Sequence, residues 1–351
     1  MDTVRVLAVG DIGLQTPQDR HPFEGVIDVL AGKDILFGNL ETVLSDAGKK
    51  EEKAMLVHSS PHMVSGLVDA GFDILSVANN HIMDLGPEGF RNTLEALRRA
   101  GLKYIGASDG KGSSHVIVEK HGMKLGFLAY YEWGTSLPSE RIHINRITPG
   151  EIEADIASLK RECDSIIVSL HWGTENVFYP SPQQIETAHA LIDAGADVIL
   201  GHHPHVVQGL EPYKRGLIAY SLGNFQFRYG KSADTMILCL EFGGGELRDY
   251  GIIPAAIDDY YRPVAVDGGA FPRFLEEISR PLREGTVSER WWFEQIAPEY
   301  IAGNFRSFVT RIRKYGLKHL VQCIIWLISP FCLRCYAAIL RLEIRKFFKG
   351  K

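Results

Sequence analysis

Along the first 240 residues, short apolar, β-branched runs alternate with stretches whose apolar positions recur every three to four residues. The runs predict strands at 4–10, 35–38, 72–77, 103–105, 115–119, 124–130, 165–170, 198–200, 217–220 and 235–242. The helical periods predict helices at 61–70, 87–100, 150–161 and 182–194. Several open after a proline and stop at Gly71, Gly101 or Gly195, because proline presets the first-turn φ and glycine accepts the left-handed cap. Strands alternating with helices predict an α/β domain with helices packed over sheets. From 214 to 256 strands follow one another without helices, which predicts an antiparallel or mixed portion, and Gly243-Gly244-Gly245 reads as a hairpin turn. Residues 259–290, rich in Pro, Gly and charge, read as an irregular linker holding one short helix near 274–278. Beyond Trp291 the pattern is helical, with breaks at Pro298, Gly316 and Pro330. The predicted organisation is a domain over 1–258, a linker over 259–290 and a tail over 291–351.

Composition narrows the class. With 45% apolar and 23% charged residues in 351, the chain is globular rather than disordered or fibrous. A formal charge of −5 gives no drive toward nucleic acid, and no nucleic-acid binding is expected. That charge is unevenly placed: residues 291–351 hold 11 Lys and Arg against 3 Asp and Glu, and residues 1–290 hold 27 against 40. The five cysteines, Cys163, Cys239, Cys323, Cys332 and Cys335, are too few and odd in number for a disulfide scaffold and fit a reducing compartment. The apolar run 4–9 is preceded by Asp2 and ended by Asp11, so no secretory signal is read and a cytoplasmic location is expected.

The longest uncharged apolar run, 320–333, is interrupted by Pro330 and is shorter than the roughly 20 residues of a spanning helix. Arg311, Arg313, Lys314 and Lys318 precede it, and Arg341, Arg345, Lys346 and Lys349 follow it. The tail reads either as a helical lid or as a peripheral membrane contact through 306–351, and the density of positive charge favours the membrane surface.

Candidate chemistry sits directly after the predicted strands, where loops of α/β folds carry their sites. The segments are Gly10-Asp11-Ile12-Gly13, Asn39-Leu40-Glu41, Asn79-Asn80-His81 with Asp84, His171-Trp172-Gly173 with Glu175, and His202-His203-Pro204-His205. Singly, each has an ordinary reading as a turn or a core histidine. Together they bring carboxylate, amide and imidazole donors to five strand ends, which is what a metal centre built from separate loops requires. Mixed O/N donors without cysteine suit Mn, Fe or Zn, as one or two divalent ions, and exclude a Cys-rich structural zinc. Asp11 and Glu41 are the candidates for an anionic ligand shared between two ions.

These motifs, together with Tyr220-Ser221-Leu222-Gly223-Asn224-Phe225, resemble the CapA family over about residues 4–256. That family is named for capsule and poly-γ-glutamate biosynthesis and belongs to the calcineurin-like metallophosphoesterase superfamily. The resemblance implies a four-layer α/β/β/α sandwich. It implies metal ligands at Asp11, Glu41, Asn80, His171, His203 and His205, a proton donor at His81, and Asp84 as its orienting partner. Asn39, Glu175, His202 and Asn224 are implied to be substrate contacts or neighbours of the ligands. Where the superfamily usually has a His two residues after the first Asp, this chain has Gly13. The implied activity is a metal-dependent hydrolase acting, through metal-bound hydroxide, on a phosphoester or on a γ-glutamyl, acidic-polymer substrate. The alternative is a non-catalytic assembly or binding factor for synthesis or export of the polymer.

Overall fold

The computed structural model describes residues 3–17, 20–51, 53, 55–110, 115–133, 141–148, 150–227, 229–230, 232–316 and 318–349. In chain order the principal strands are β1 (Val4–Ile12), β2 (Ile35–Leu40), β3 (Ile74–Ser76), β4 (Lys103–Ile105), β5 (Val116–Lys120), β6 (Met123–Tyr131) and β7 (Ser165–His171). They continue with β8 (Val198–His202), β9 (Leu210–Tyr213), β10 (Gly216–Ala219), β11 (Asn224–Gln226), β12 (Asp234–Gly243), β13 (Glu246–Ile257) and β14 (Pro263–Ala265). The longer helices are α1 (Gly86–Arg99), α2 (Glu151–Leu159), α3 (Pro182–Ala194), α4 (Phe271–Arg283), α5 (Glu289–Tyr315), α6 (Lys318–Leu327) and α7 (Pro330–Lys349).

Two mixed sheets form the centre. The first runs β14-β13-β12-β1-β2-β3-β4, with β11 also pairing β1 in parallel. The second runs β9-β10-β8-β7-β6-β5. Strand β1 is buried at every position except Arg5, as a strand covered on both faces must be. The sheets meet through one apolar cluster that joins Leu7, Phe37 and Leu240 to Phe127, Ile167 and Leu200, with Phe37 and Phe127 stacked at 6.1 Å. Phe90, Leu94 and Leu97 of α1 belong to the same cluster. On the far face of the second sheet, Ile152, Ile156 and Leu159 of α2 and Ala188, Leu191 and Ile192 of α3 pack against Ile166, Val168 and Ile199. The result is the helix–sheet–sheet–helix sandwich implied by the resemblance.

Two stretches depart from the sequence reading. Residues 61–70 divide into a 3-10 turn, Pro61–Met63, and a short helix, Val64–Asp69. The stretch 259–290 is less irregular than its composition predicts, since it contains edge strand β14 and the 13-residue helix α4. Proline is tolerated in the first turn, so Pro272 starts α4 rather than breaking it, and Leu275, Ile278 and Leu282 form its buried face. Ser279 Oγ accepts from the Leu210 amide at 2.9 Å, tying α4 to β9.

The tail folds back on the sandwich. Trp292, Phe293, Ile296 and Ala297 of α5 enclose a small core with Val177, Cys335 and Ala338, and the Trp292 indole donates to the Tyr179 carbonyl at 2.8 Å.

Candidate metal centre

Register brings the strand-end residues together. Asp11 of β1 lies opposite Asn39 of β2 on one side and Asn224 of β11 on the other. His171 of β7 lies opposite His202 of β8. Gly10 lets β1 approach the turn before β11, because a Cβ there would meet the Gly223 carbonyl oxygen at 1.9 Å; the Asp11 amide then donates to that same oxygen at 2.9 Å. Past β8 the chain holds His203 at φ 93° and His205 at φ 57°. Such values are costly for residues with side chains and concentrate at functional sites. They turn both imidazoles toward the gap between the sheets, and the His203 amide donates to Asp11 Oδ2 at 3.3 Å.

Among the described residues, three sets of donor atoms lie within 4.8 Å of one another: Glu41, His171 and His203; Asp11, Glu41 and His205; and Glu175, His203 and His205. His171 Nε2 is 2.8 Å from Asn80 Oδ1 and 3.6 Å from Glu41 Oε1. His205 Nε2 is 3.8 Å from Glu41 Oε1. Its Nδ1 is held by Asn224 Oδ1 at 2.8 Å, which leaves Nε2 for the centre. Asn39 Nδ2 donates to Asp11 Oδ1 at 2.9 Å and also contacts His171 Nδ1 at 3.3 Å. His202 is fully buried with Nδ1 3.2 Å from Asp11 Oδ1. All twelve residues singled out in the sequence therefore gather around one point or its immediate support.

His81 and Asp84 form a unit beside it. His81 Nδ1 contacts Asp84 Oδ2 at 2.6 Å, and Asp84 also accepts from Lys53 Nζ at 2.7 Å and from the Val57 amide at 2.8 Å. His81 Nε2 is left facing the centre, 3.9 Å from Glu41 Oε1. Asn79 fixes the turn: its amide donates to the Leu40 carbonyl at 2.8 Å and its Oδ1 accepts from the His81 amide at 3.1 Å.

The electrostatics fit a cation. Both Glu41 oxygens are buried without a hydrogen-bond partner, as is His203 Nδ1. Burial, then the charges of Asp11 and Glu175, raise the Glu41 carboxyl well above its ordinary range. Burial opposes ionisation of Asp11 too, but hydrogen bonds from His202 and His205 outweigh it and hold that group well below its ordinary range. Burial, then the neighbouring His203, keeps His171 neutral, and burial, then His205, does the same for His203. Buried carboxylates without donors cost several kcal/mol each. Neutral imidazoles beside them are the protonation state that ligands need. The donor set thus suits a divalent metal site.

The family model for the bacterial capsule synthesis protein PGA_cap matches residues 5–229. The chain belongs to that family. Among curated relatives, the capsule biosynthesis protein CapA of Bacillus anthracis is 35% identical over 315 residues, covering 84% of this chain and 74% of that one. The PGA biosynthesis protein CapA of Bacillus subtilis (strain 168) is 33% identical over 222 residues, covering 59% of this chain and 57% of that one. Among solved structures, a phosphatase from Mycoplasma pneumoniae is 14% identical with a TM-score of 0.48, over 74% of this chain and 96% of that one.

Within this PGA_cap member, a cavity of about 610 Å³ opens over the centre, walled by Trp133, Glu175, His203 and Tyr229 and, from α5, by Glu299 and Tyr300. A neighbouring cavity of about 640 Å³ shares Trp133, Gly173 and Thr174 in its wall. Trp133 stands over His203 with ring centroids 4.3 Å apart. No local pattern pointed to Lys53, Tyr229, Glu299 or Tyr300. Lys53 sits in a charged loop without periodicity, and α5 reaches the site only through tertiary packing.

Proposed function

We propose that this chain is a metal-dependent hydrolase of the capsule-synthesis family, cleaving a phosphoester or a γ-glutamyl link of an acidic polymer. The supporting observation is the His81–Asp84 pair, whose free Nε2 faces the same point as the unpartnered Glu41 carboxylate. In this reading Asp11, Glu41, Asn80, His171, His203 and His205 hold the ion or ions, with Mn, Fe or Zn matching the donors. A bound divalent ion supplies Lewis-acid polarisation and a nucleophile at neutral pH. The residues supply the rest. Asp84, anchored by Lys53 and the Val57 amide, keeps the His81 ring in place. His81 gives its Nε2 proton to the leaving group. Trp133 and Tyr300 shield the cavity, and the two adjoining cavities give room for more than one unit of a chain-like substrate. The relatives' names, which refer to capsule and PGA biosynthesis, support the acidic polymer.

A second reading, a non-catalytic binding or assembly factor, is favoured by one feature: Gly13 offers no side chain to the centre.

Metal-loaded protein tested on an aryl phosphodiester, a phosphomonoester and a γ-glutamyl oligomer separates the readings. For the hydrolase, His81→Ala keeps its metal and loses about 10²–10⁴ in rate on substrates with poor leaving groups. Aryl leaving groups need less protonation and suffer less. Equal losses on both substrate types would remove His81 as the proton donor, and polymer binding without turnover by wild type would leave the assembly factor.

A further inference from the structure

The donors are unevenly divided between the two sides of Glu41. One side offers Asn80, His171 and His203; the other offers Asp11 and His205. Two residues beyond Asp11 the loop has Gly13, which brings no side chain, and its space is taken. A Cβ on Gly13 would lie 2.4 Å from Phe227 Cδ2, and Phe227 is 1% exposed with its ring 5.5 Å from that of His205.

A carboxylate arrives from another direction. Glu175 lies four residues beyond His171, with a carboxylate oxygen within 4.8 Å of donor atoms of both His203 and His205. It is held by the Tyr229 hydroxyl, which donates to Glu175 Oε2 at 3.0 Å, and the Tyr229 ring packs edge-on against His205 at 4.9 Å. His205 has its Nδ1 committed to Asn224, so its Nε2 faces the space between Glu41 and the cavity that Glu175 lines. An independent sign that a cation belongs here is the fully buried Glu41, whose two oxygens have no partner.

We propose that Glu175 is a metal ligand, sharing an ion with His203 and His205 and supplying a donor that Gly13 cannot. The inference rests on the metal-centre reading above. It adds a hard carboxylate donor, of the kind that suits Mn²⁺, to a corner that otherwise offers the imidazoles of His203 and His205. Tyr229 acts through Glu175 as a positioning residue.

The test is titration of the metal-free, full-length protein with Mn²⁺, read by calorimetry and by electron paramagnetic resonance of coupled ions. Wild type should bind two ions that are magnetically coupled. Glu175→Gln should keep one ion at unchanged affinity and bind the second at least about 100-fold more weakly, the upper end of what even outer-shell changes cost. Glu175→Asp should recover part of the loss, and Tyr229→Phe should weaken the second ion by about tenfold. Glu132→Gln, which removes a nearby carboxylate that accepts from the Gly173 amide, should leave both ions unchanged and so exclude a general effect of charge. Two coupled ions in Glu175→Gln, at wild-type affinity, would overturn the assignment while leaving the metal centre intact. A single ion in wild type that Glu175→Gln does not weaken would overturn it too. No Mn²⁺ binding by wild type would overturn the metal-centre reading itself.

Discussion

Glu41 is a fully buried carboxylate whose two oxygens have no hydrogen-bond partner. It lies beside Asp11, with Glu175 and Asp84 adding further negative charge. Without a cation its carboxyl is raised, so the folded chain holds a proton there that the unfolded chain releases at lower pH. Stability from that group therefore falls as pH rises from the ordinary glutamate range through the raised value. A bound cation reverses the preference by displacing the proton. Mn²⁺ uptake at a pH below the raised value is expected to release protons, and affinity should strengthen as pH rises. Calorimetry in two buffers of different ionisation enthalpy measures the release. Glu41→Gln should lose both the metal and the proton signal; an equal signal in wild type and variant would place the proton elsewhere.

At the scale of elements, the loop after β1 and the segment after β11 are packed as a pair. Gly13 and Phe227 fit because one has no side chain, and the Gly13 amide donates to the Gln226 carbonyl at 3.0 Å. Adding a methyl group forces a fully buried ring to move. Gly13→Ala should destabilise the fold by about 1–3 kcal/mol, as overpacking does. Phe227→Ala alone leaves a cavity and should cost about 3–5 kcal/mol. The double variant should cost less than the sum of the two, because contacting sites couple. Denaturant unfolding of the four proteins provides the cycle, and strict additivity would show that the two positions do not meet.

For the molecule as a whole, the tail joins the sandwich through a small aromatic core and contributes Glu299 and Tyr300 to the cavity wall. That packing supports the lid reading. Several tail cations are also engaged internally: Arg345 Nη1 lies 2.7 Å from Glu294 Oε2, Arg341 Nε lies 3.5 Å from Glu294 Oε1, and Arg334 pairs with Glu289. The side chains of Arg311, Lys314, Lys318 and Lys349 lie outside the described residues. A second feature supports the membrane reading. Leu333, Tyr336, Leu340, Ile344 and Phe347 recur at helical spacing on α7 and are exposed, as are Val321, Ile324, Ile325 and Ile328 beside them. Among the described residues no helix is long and apolar enough to cross a membrane, so such a stripe would lie in the interface. Flotation separates the membrane reading of α6 and α7 from the lid. Wild type should float with anionic vesicles and less with neutral ones. Leu340→Ser combined with Phe347→Ser should abolish flotation while leaving metal content unchanged. Failure of wild type to float would leave the tail as a lid alone.

The alternation of β-branched runs and amphipathic stretches determined the α/β class, because burial on two faces and on one face leave different periods in a chain. Strand-end placement of Asp11, Glu41, Asn80, His171, His203 and His205 was equally legible, since Asp11 and His171 lie in the last two positions of their strands and the other four follow theirs by one to four residues. What a local pattern cannot carry is register and long-range packing. Asn224 became the partner of His205 only when β11 paired with β1. Phe227 and Gly13 are 214 positions apart and became neighbours through the same pairing. Glu299 and Tyr300 sit in a helix whose sequence shows only amphipathic character, and they reached the cavity because Trp292 and Val177 share a core. The composition of 259–290 showed only the middle of α4, near 274–278, because a first-turn proline and charged outer positions look, one residue at a time, like a linker; burial of Leu275, Ile278 and Leu282 against the sandwich marks the helix's full length. The chemistry of the candidate donors was therefore fixed locally, and their geometry was decided by contacts between distant segments.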